Sequence, residues 1–385
     1  MRIISLVLVI IVILCAGTLL YFFFIQGEKT PWQLSSETEQ ENNVESGDDD
    51  VVGVVETVTV ETAASELPEQ SLLVDTDITG AKLDPNGDSI WFYDRESKQI
   101  AQVNLKGEKL ASVPAPANYV EDIVWSPDTQ SFLYQSGENK YYYREREGGE
   151  EILLGSNIES PVFVNANEIW YRFIDPDRTS SAVRVGDPSA GLSGSQEVMP
   201  AGSSLVLKCV PNTNGVAYYL WPNENVPSAV YSLDQSGNKQ LVVSKGSAME
   251  AVWSPDGSSL AYTKTDNGRL QLFVANGEGK NPRQLDRSTF IDKIAFSQRG
   301  KTIYLAVPKL VPSLTDYLSG EAEVEDELYR YDIESGELTK IADLGLEGEK
   351  IGARQLFLSQ NGKLLYFINS YNGALYVVNL SKLSS

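Results

Sequence analysis

One phrase returns along this chain: an apolar run, a turn of the Ser-Pro-Asp-Gly kind, and a second apolar run. Its clearest copy is Ala251-Val-Trp-Ser-Pro-Asp-Gly-Ser-Ser-Leu-Ala-Tyr262. The turn returns as Asp84-Pro-Asn-Gly87, Ser126-Pro-Asp-Thr129, Ser297-Gln-Arg-Gly300 and Ser359-Gln-Asn-Gly362. Pro followed by Asp or Asn and Gly suits a tight turn whose last residue needs a positive φ. Self-similarity at a period of about 40 residues points to a radial array of four-stranded units. Such an array escapes the size limit of a single core, because each sheet packs only on its neighbours.

Taking each turn as the junction of a unit's first and second strands gives seven pairs. They are 78–83 with 89–93, 120–125 with 131–135, 161–164 with 168–172, and 205–210 with 215–220. The series continues with 248–253 and 259–263, 291–296 and 302–306, and 354–358 and 364–368. Six or eight units would require one weak pair, 161–172, to be misread. The last unit stops after its third strand at Leu380, while Ser71–Val74 precedes the first unit without one of its own. The simplest closure lets 71–74 supply the missing outer strand, since an open last unit would leave backbone groups unpaired.

The Ala251–Thr263 segment, followed by Leu272-Phe-Val-Ala-Asn276 and Arg283-Gln-Leu285, resembles the repeat of TolB-type, WD-repeat-like β-propellers. The resemblance covers about 70–385, and it lacks the Gly-His…Trp-Asp signature of WD repeats. It implies an all-β, seven-bladed propeller and transfers no catalytic residue. Within it, Trp125, Trp253 and Phe296 are expected to wedge between sheets. Pro127, Pro255, Asp256, Gly257, Gly300 and Gly362 are expected to shape the turns.

Residues 3–25 are apolar and uncharged, long enough at 1.5 Å per residue to cross a hydrocarbon core of about 30 Å. We read residues 1–25 as an uncleaved signal anchor; a cleaved signal peptide would have an unusually long apolar region and no small-x-small site after it. Arg2 before the segment and the cancelling Glu28 and Lys29 after it favour an N-terminus inside and the rest outside the cytoplasmic membrane. Residues 26–70 read as an acidic flexible linker: 34–69 holds eleven acids and no base. Within it, Val51–Val60 has strand propensity and reads as exposed linker or as a strand able to join a partner's sheet edge. Residues 71–385 form the propeller.

The formal charge of −22, without a basic stripe, excludes nucleic acid as a partner. The chain has no histidine, which removes Ser-His-Asp triads and His-ligated zinc. The two cysteines, Cys15 and Cys209, lie in different regions, so no disulfide is expected, and Cys209 reads as a core position. Asp84-Pro-Asn-Gly-Asp88 lacks calcium-loop spacing and coincides with the repeat turn. Ser193 in Gly191-Leu-Ser-Gly194 lacks the full nucleophile-elbow pattern. No metal, cofactor or catalytic set is expected.

Binding is expected on the face that carries the second-to-third and fourth-to-first strand connections, where the long loops fall. These are 173–179, 221–227 and the 307–327 insertion, and their candidate contact residues are Asp175, Asp177, Arg178, Trp221, Asn223, Leu314 and Tyr317. The insertion reads either as a packed helix with a solvated acidic turn or as a docking site. The function expected is a membrane-anchored, non-catalytic protein-binding or scaffold module of the cell envelope. The alternatives are a glycan-binding propeller and an enzyme using channel-facing carboxylates.

Overall fold

A computed structural model of the chain describes residues 58–114, 119–137, 140–177, 180–202, 204–322, 324–346 and 348–383. The expected anchor, most of the expected linker with its valine-rich stretch to residue 57, and Arg178 lie outside the described residues. Among the described residues no helix is long and apolar enough to cross a membrane. The chain divides into two units at Val54/Val55. The second holds every described residue.

The fold is all-β, built of antiparallel meanders. The first comprises β2 (Ile78–Leu83), β3 (Ser89–Asp94), β4 (Gln99–Asn104) and β5 (Lys109–Pro114). The second is β6 (Asp122–Trp125), β7 (Ser131–Ser136), β8 (Lys140–Glu145) and β9 (Ile152–Gly155). The third is β10 (Ile158–Asn165), β11 (Glu168–Ile174), β12 (Ser181–Gly186) and β13 (Gln196–Pro200). A seven-stranded sheet follows, of β14 (Leu205–Cys209), β15 (Val216–Leu220), β16 (Pro227–Leu233), β17 (Lys239–Trp253), β18 (Ser259–Asp266), β19 (Arg269–Asn276) and β20 (Arg283–Gln284). Two repeats merge there, because β17 runs unbroken from the outer edge of one into the inner strand of the next. Next come β21 (Ile294–Phe296), β22 (Thr302–Pro308), β23 (Asp326–Asp332) and β24 (Leu338–Asp343). The last sheet joins β25 (Ala353–Leu358), β26 (Leu364–Asn369) and β27 (Leu375–Asn379) to β1 (Gln70–Val74), with Ser71 opposite Val377.

First strands meet in cyclic order: β2 beside β6, β6 beside β10, β10 beside β14, β21 beside β25, and β25 beside β2. The sheets therefore close into a ring, and the arrangement is that of a β-propeller. Aromatic side chains fill the seams. Trp125 is buried with its ring 6.3 Å from Trp91 of the preceding sheet and 5.2 Å from Phe132 of its own. Phe296 packs among Ala261 and Val274, and Trp253 packs with Tyr219 while its indole N–H donates to the Gly277 carbonyl at 2.9 Å. Burying such a side chain contributes roughly 2–3 kcal/mol.

The repeat turns explain their composition. Gly257 lies at φ +71° and its N–H donates to the Ser254 carbonyl at 2.8 Å, while the Asp256 carboxylate accepts from the Ser254 hydroxyl and the Ser258 N–H. Gly300 and Gly362 close equivalent turns. In the 126–129 turn a threonine stands where the others have glycine. Thr129 is held at φ +57°, and its hydroxyl donates to Asp84 at 3.1 Å. The local strain of that residue is thus offset by a bond to the neighbouring sheet.

A departure from the expected organisation concerns the linker. Its last residues form α1 (Val60–Glu66), capped by the Thr59 hydroxyl and ended before Pro68. Ala63 and Ala64 bury in one apolar cluster with Ile78, Leu364 and Val377. Asn379 donates to the carbonyls of Ala64 and Leu67 at 2.7 and 3.0 Å, and Lys363 pairs with Glu61. The valine-rich composition just upstream masked this short helix, which tertiary contacts rather than propensity hold.

Candidate functional site

The inner strands carry a recurring irregularity. A register slip with one left-handed residue occurs in β2 at Gly80, in β10 at Ser160, in β17 at Ala248 and in β25 at Gln355. Bulges of this kind bend a strand and re-aim its side chains. Beside them, near the start of each inner strand, stand charged residues: Glu159, Glu250 and Arg354, with Asp122 on β6 and Asp292 in the turn Ile291–Lys293. They line the channel mouth on the face that bears the second-to-third strand connections.

Their ionisation is set by that position. Desolvation by the surrounding protein pushes Glu250 up to about 7, with Asp292 adding repulsion and Lys208 opposing it. Asp292 is open to channel water yet crowded by protein, and that crowding raises it; Tyr317, Lys293 and Arg354 pull it back. Desolvation likewise raises Asp122, opposed by the Ile123 N–H, Arg95 and Lys208. Deeper in, Lys82 is lowered to about 8 by burial, with Asp128 and Cys209 acting the other way, and its ammonium donates to the Ser126 carbonyl at 3.0 Å. Cys209 is half-buried on an inner strand rather than a core residue, and burial raises its thiol.

A cavity of about 1490 Å³ opens at the mouth between the sheets of β6, β10 and β14. Its charged residues include Asp122, Glu159, Arg172 and Lys208. Arg172 is buried, paired with Glu159, and donates to the Ser181 hydroxyl at 3.2 Å. Of the residues expected from sequence, Asp175 and Trp221 line this cavity, and Trp221 is 60% exposed. Asp177 is exposed in the same connection as Asp175. Asn223 has a shaping role: its side chain accepts from the Asn225 N–H at 2.8 Å and its carbonyl from the Ala248 N–H at 3.0 Å.

Leu314 and Tyr317 lie elsewhere, in the insertion. Its residues Leu314–Leu318 form α2, capped by the Ser313 hydroxyl, which accepts from the Asp316 N–H. Leu314 is buried against Ala248 and Phe290. The Tyr317 ring stacks on Phe290, and its hydroxyl donates to Asp292, which lies within 2.7 Å. Both side chains therefore fasten the insertion to the mouth. What the insertion shows to solvent is Leu310, Val311 and Leu318, beside a second cavity of about 540 Å³ that includes Lys309, Glu325 and Tyr371. The inner-strand charges were missed from sequence. Aligning the repeats on their turns would have shown an acid about five residues before most of them.

Among the described residues no group of three or more Cys, Asp or Glu is placed to hold a metal ion. The sites expected at Trp125, Pro127, Trp253, Pro255, Asp256, Gly257, Phe296, Gly300 and Gly362 all fall in seams or turns.

No family model matches this chain, and no curated protein matches it. Solved structures do. An oligogalacturonate lyase in complex with manganese aligns at 15% identity and a TM-score of 0.59, over 81% of this chain and 91% of its own. The oligogalacturonate lyase of Vibrio parahaemolyticus aligns at 13% identity and 0.59, over 81% and 92%. The Swd1 β-propeller domain of Myceliophteria thermophila aligns at 11% identity and 0.52, over 80% and 99%. At these identities the likeness is one of fold.

Proposed function

We propose that the chain is a seven-bladed, TolB-like propeller, tethered to the cytoplasmic membrane by residues 3–25 and displayed outside it, that docks a protein of the cell envelope without catalysing a reaction. Counting β17 as both an outer and an inner strand divides the seven-stranded sheet into two blades and gives the count of seven. One observation carries the docking reading. Of the eight large apolar side chains most exposed among the described residues, six belong to connections of one face: Tyr119, Trp221, Val226, Leu310, Val311 and Leu318. Apolar side chains gathered on one face mark an interaction surface more than scattered ones do. The partners of α1, Lys363 and Lys106, lie in turns of the opposite face.

The test is capture from membranes. Full-length protein carrying Leu310→Ser, Val311→Ser and Leu318→Ser should keep its circular dichroism and lose the crosslinked partner that the unaltered protein retains. Undiminished capture would refute docking on this face. The lyase likeness would favour an enzyme, but here the mouth has no histidine to offer, and two of its acids are engaged, Asp292 by the Tyr317 hydroxyl and Asp122 by the Ile123 N–H.

A further inference from the structure

We infer that the 1490 Å³ cavity is a binding site for a neutral oligosaccharide. Its size exceeds the roughly 300–1,000 Å³ of ordinary small-molecule pockets, which suits a segment of a chain rather than a single metabolite. The walls are made by corresponding positions of three consecutive inner strands. Val124, Val162 and Val206 supply apolar lining from these three strands.

The polar groups have the geometry that rows of hydroxyls require. Carboxylates of Asp122 and Asp175, the amide of Gln135 and the guanidinium of Arg172 present planar, paired donors or acceptors. Arg172 is only 7% exposed and held by Glu159 and Ser181, so it meets a ligand without losing much rotamer freedom. Trp221 also lines the cavity, and more than half of its surface is open to solvent. A flat aromatic surface beside convergent planar polar groups matches a pyranose, whose one face is C–H and whose edge is hydroxyl.

Charge selects the class of sugar. The lining holds three acids, Asp122, Glu159 and Asp175, against two bases, Arg172, which Glu159 already pairs, and Lys208, and the chain as a whole is strongly acidic. A uronic-acid polymer would be repelled, so this site is distinguished from one for oligogalacturonate. The proposal is independent of protein docking, because it uses the cavity rather than the insertion.

The experiment presents the full-length protein in detergent to an array of neutral and acidic oligosaccharides, then measures the hits by calorimetry. Saturable binding of neutral chains, with indole fluorescence changing on binding, is expected. Trp221→Ala should weaken binding at least tenfold and Trp221→Phe should restore most of it. Because Trp221 is exposed, neither variant should alter the thermal melt, which is the check on folding. The inference is overturned by an array without a saturable neutral hit, by tetragalacturonate binding more tightly than any neutral tetramer, or by binding that Trp221→Ala leaves unchanged.

Discussion

The ammonium of Lys293 lies 2.5 Å from the carboxylate of Asp326, and neither side chain has appreciable solvent exposure. Lys293 also donates to the Ala353 carbonyl, and the Asp326 oxygen that it meets accepts from the Ala353 N–H at 2.7 Å. The pair thus ties the sheet of β21–β24 to the first strand of the next. Its second carboxylate oxygen is buried without a hydrogen-bond partner, so desolvation is only partly compensated.

Removing one partner should therefore cost more than removing both. Lys293→Met should lower stability by about 3–5 kcal/mol, because it leaves Asp326 buried and uncompensated. The pair Lys293→Met with Asp326→Leu should recover part of that loss. Denaturant titrations of the single and double variants measure it; a double variant no more stable than Lys293→Met alone would exclude this account.

The seam between the last and first sheets gives a second prediction. Asn379→Ala orphans the carbonyl of Ala64 and leaves that of Leu67 with Lys382 as its donor. The expected loss is about 1–3 kcal/mol. A chain beginning at Gln70 retains β1 but lacks α1, and it should melt below one beginning at Val58. Equal melting temperatures would show that α1 contributes nothing to closure.

The legible parts of this fold were those written in local chemistry. Gly257 and Asp256 announce a turn because only a few residues tolerate its backbone, and Trp253 announces a seam because a buried indole needs one. The helix over 60–66 was not legible, since it exists by virtue of Asn379, which is more than 300 residues away in sequence. The role of Tyr317 was hidden for the same reason. An exposed-looking tyrosine in a long loop turns out to stack on Phe290, and no local pattern foretells that partner. The channel-mouth acids were visible only as residues in an acid-rich chain, until the bulged inner strands brought them together.

The insertion's fastening is testable through Tyr317. Its hydroxyl donates to the Asp292 side chain in a bond that is open to channel water. Tyr317→Phe should cost about 1 kcal/mol or less in global stability. Its main effect should be local, seen as several-fold faster cleavage within 309–326 under limited proteolysis. An unchanged cleavage rate would mean that stacking on Phe290 alone holds the helix.

The last prediction concerns pH. Glu250 is raised to about 7 in the folded chain by desolvation and by Asp292, against 4.5 for an unperturbed glutamate. Between these values the folded state binds more protons than the unfolded one, so stability falls as pH rises. The contribution is complete below about pH 4.5, and it is lost as pH passes through 7. A shift of this size corresponds to about 3 kcal/mol at most, and access of channel water reduces it to about 1–2 kcal/mol. Glu250→Gln cannot ionise, so the variant should be more stable than the unaltered protein at pH 8 and nearly equal to it at pH 4.5. Denaturation midpoints measured at the two pH values decide the matter. A stabilisation that is the same at both would show that the substitution acts through packing, and that the carboxylate of Glu250 is not the group that titrates.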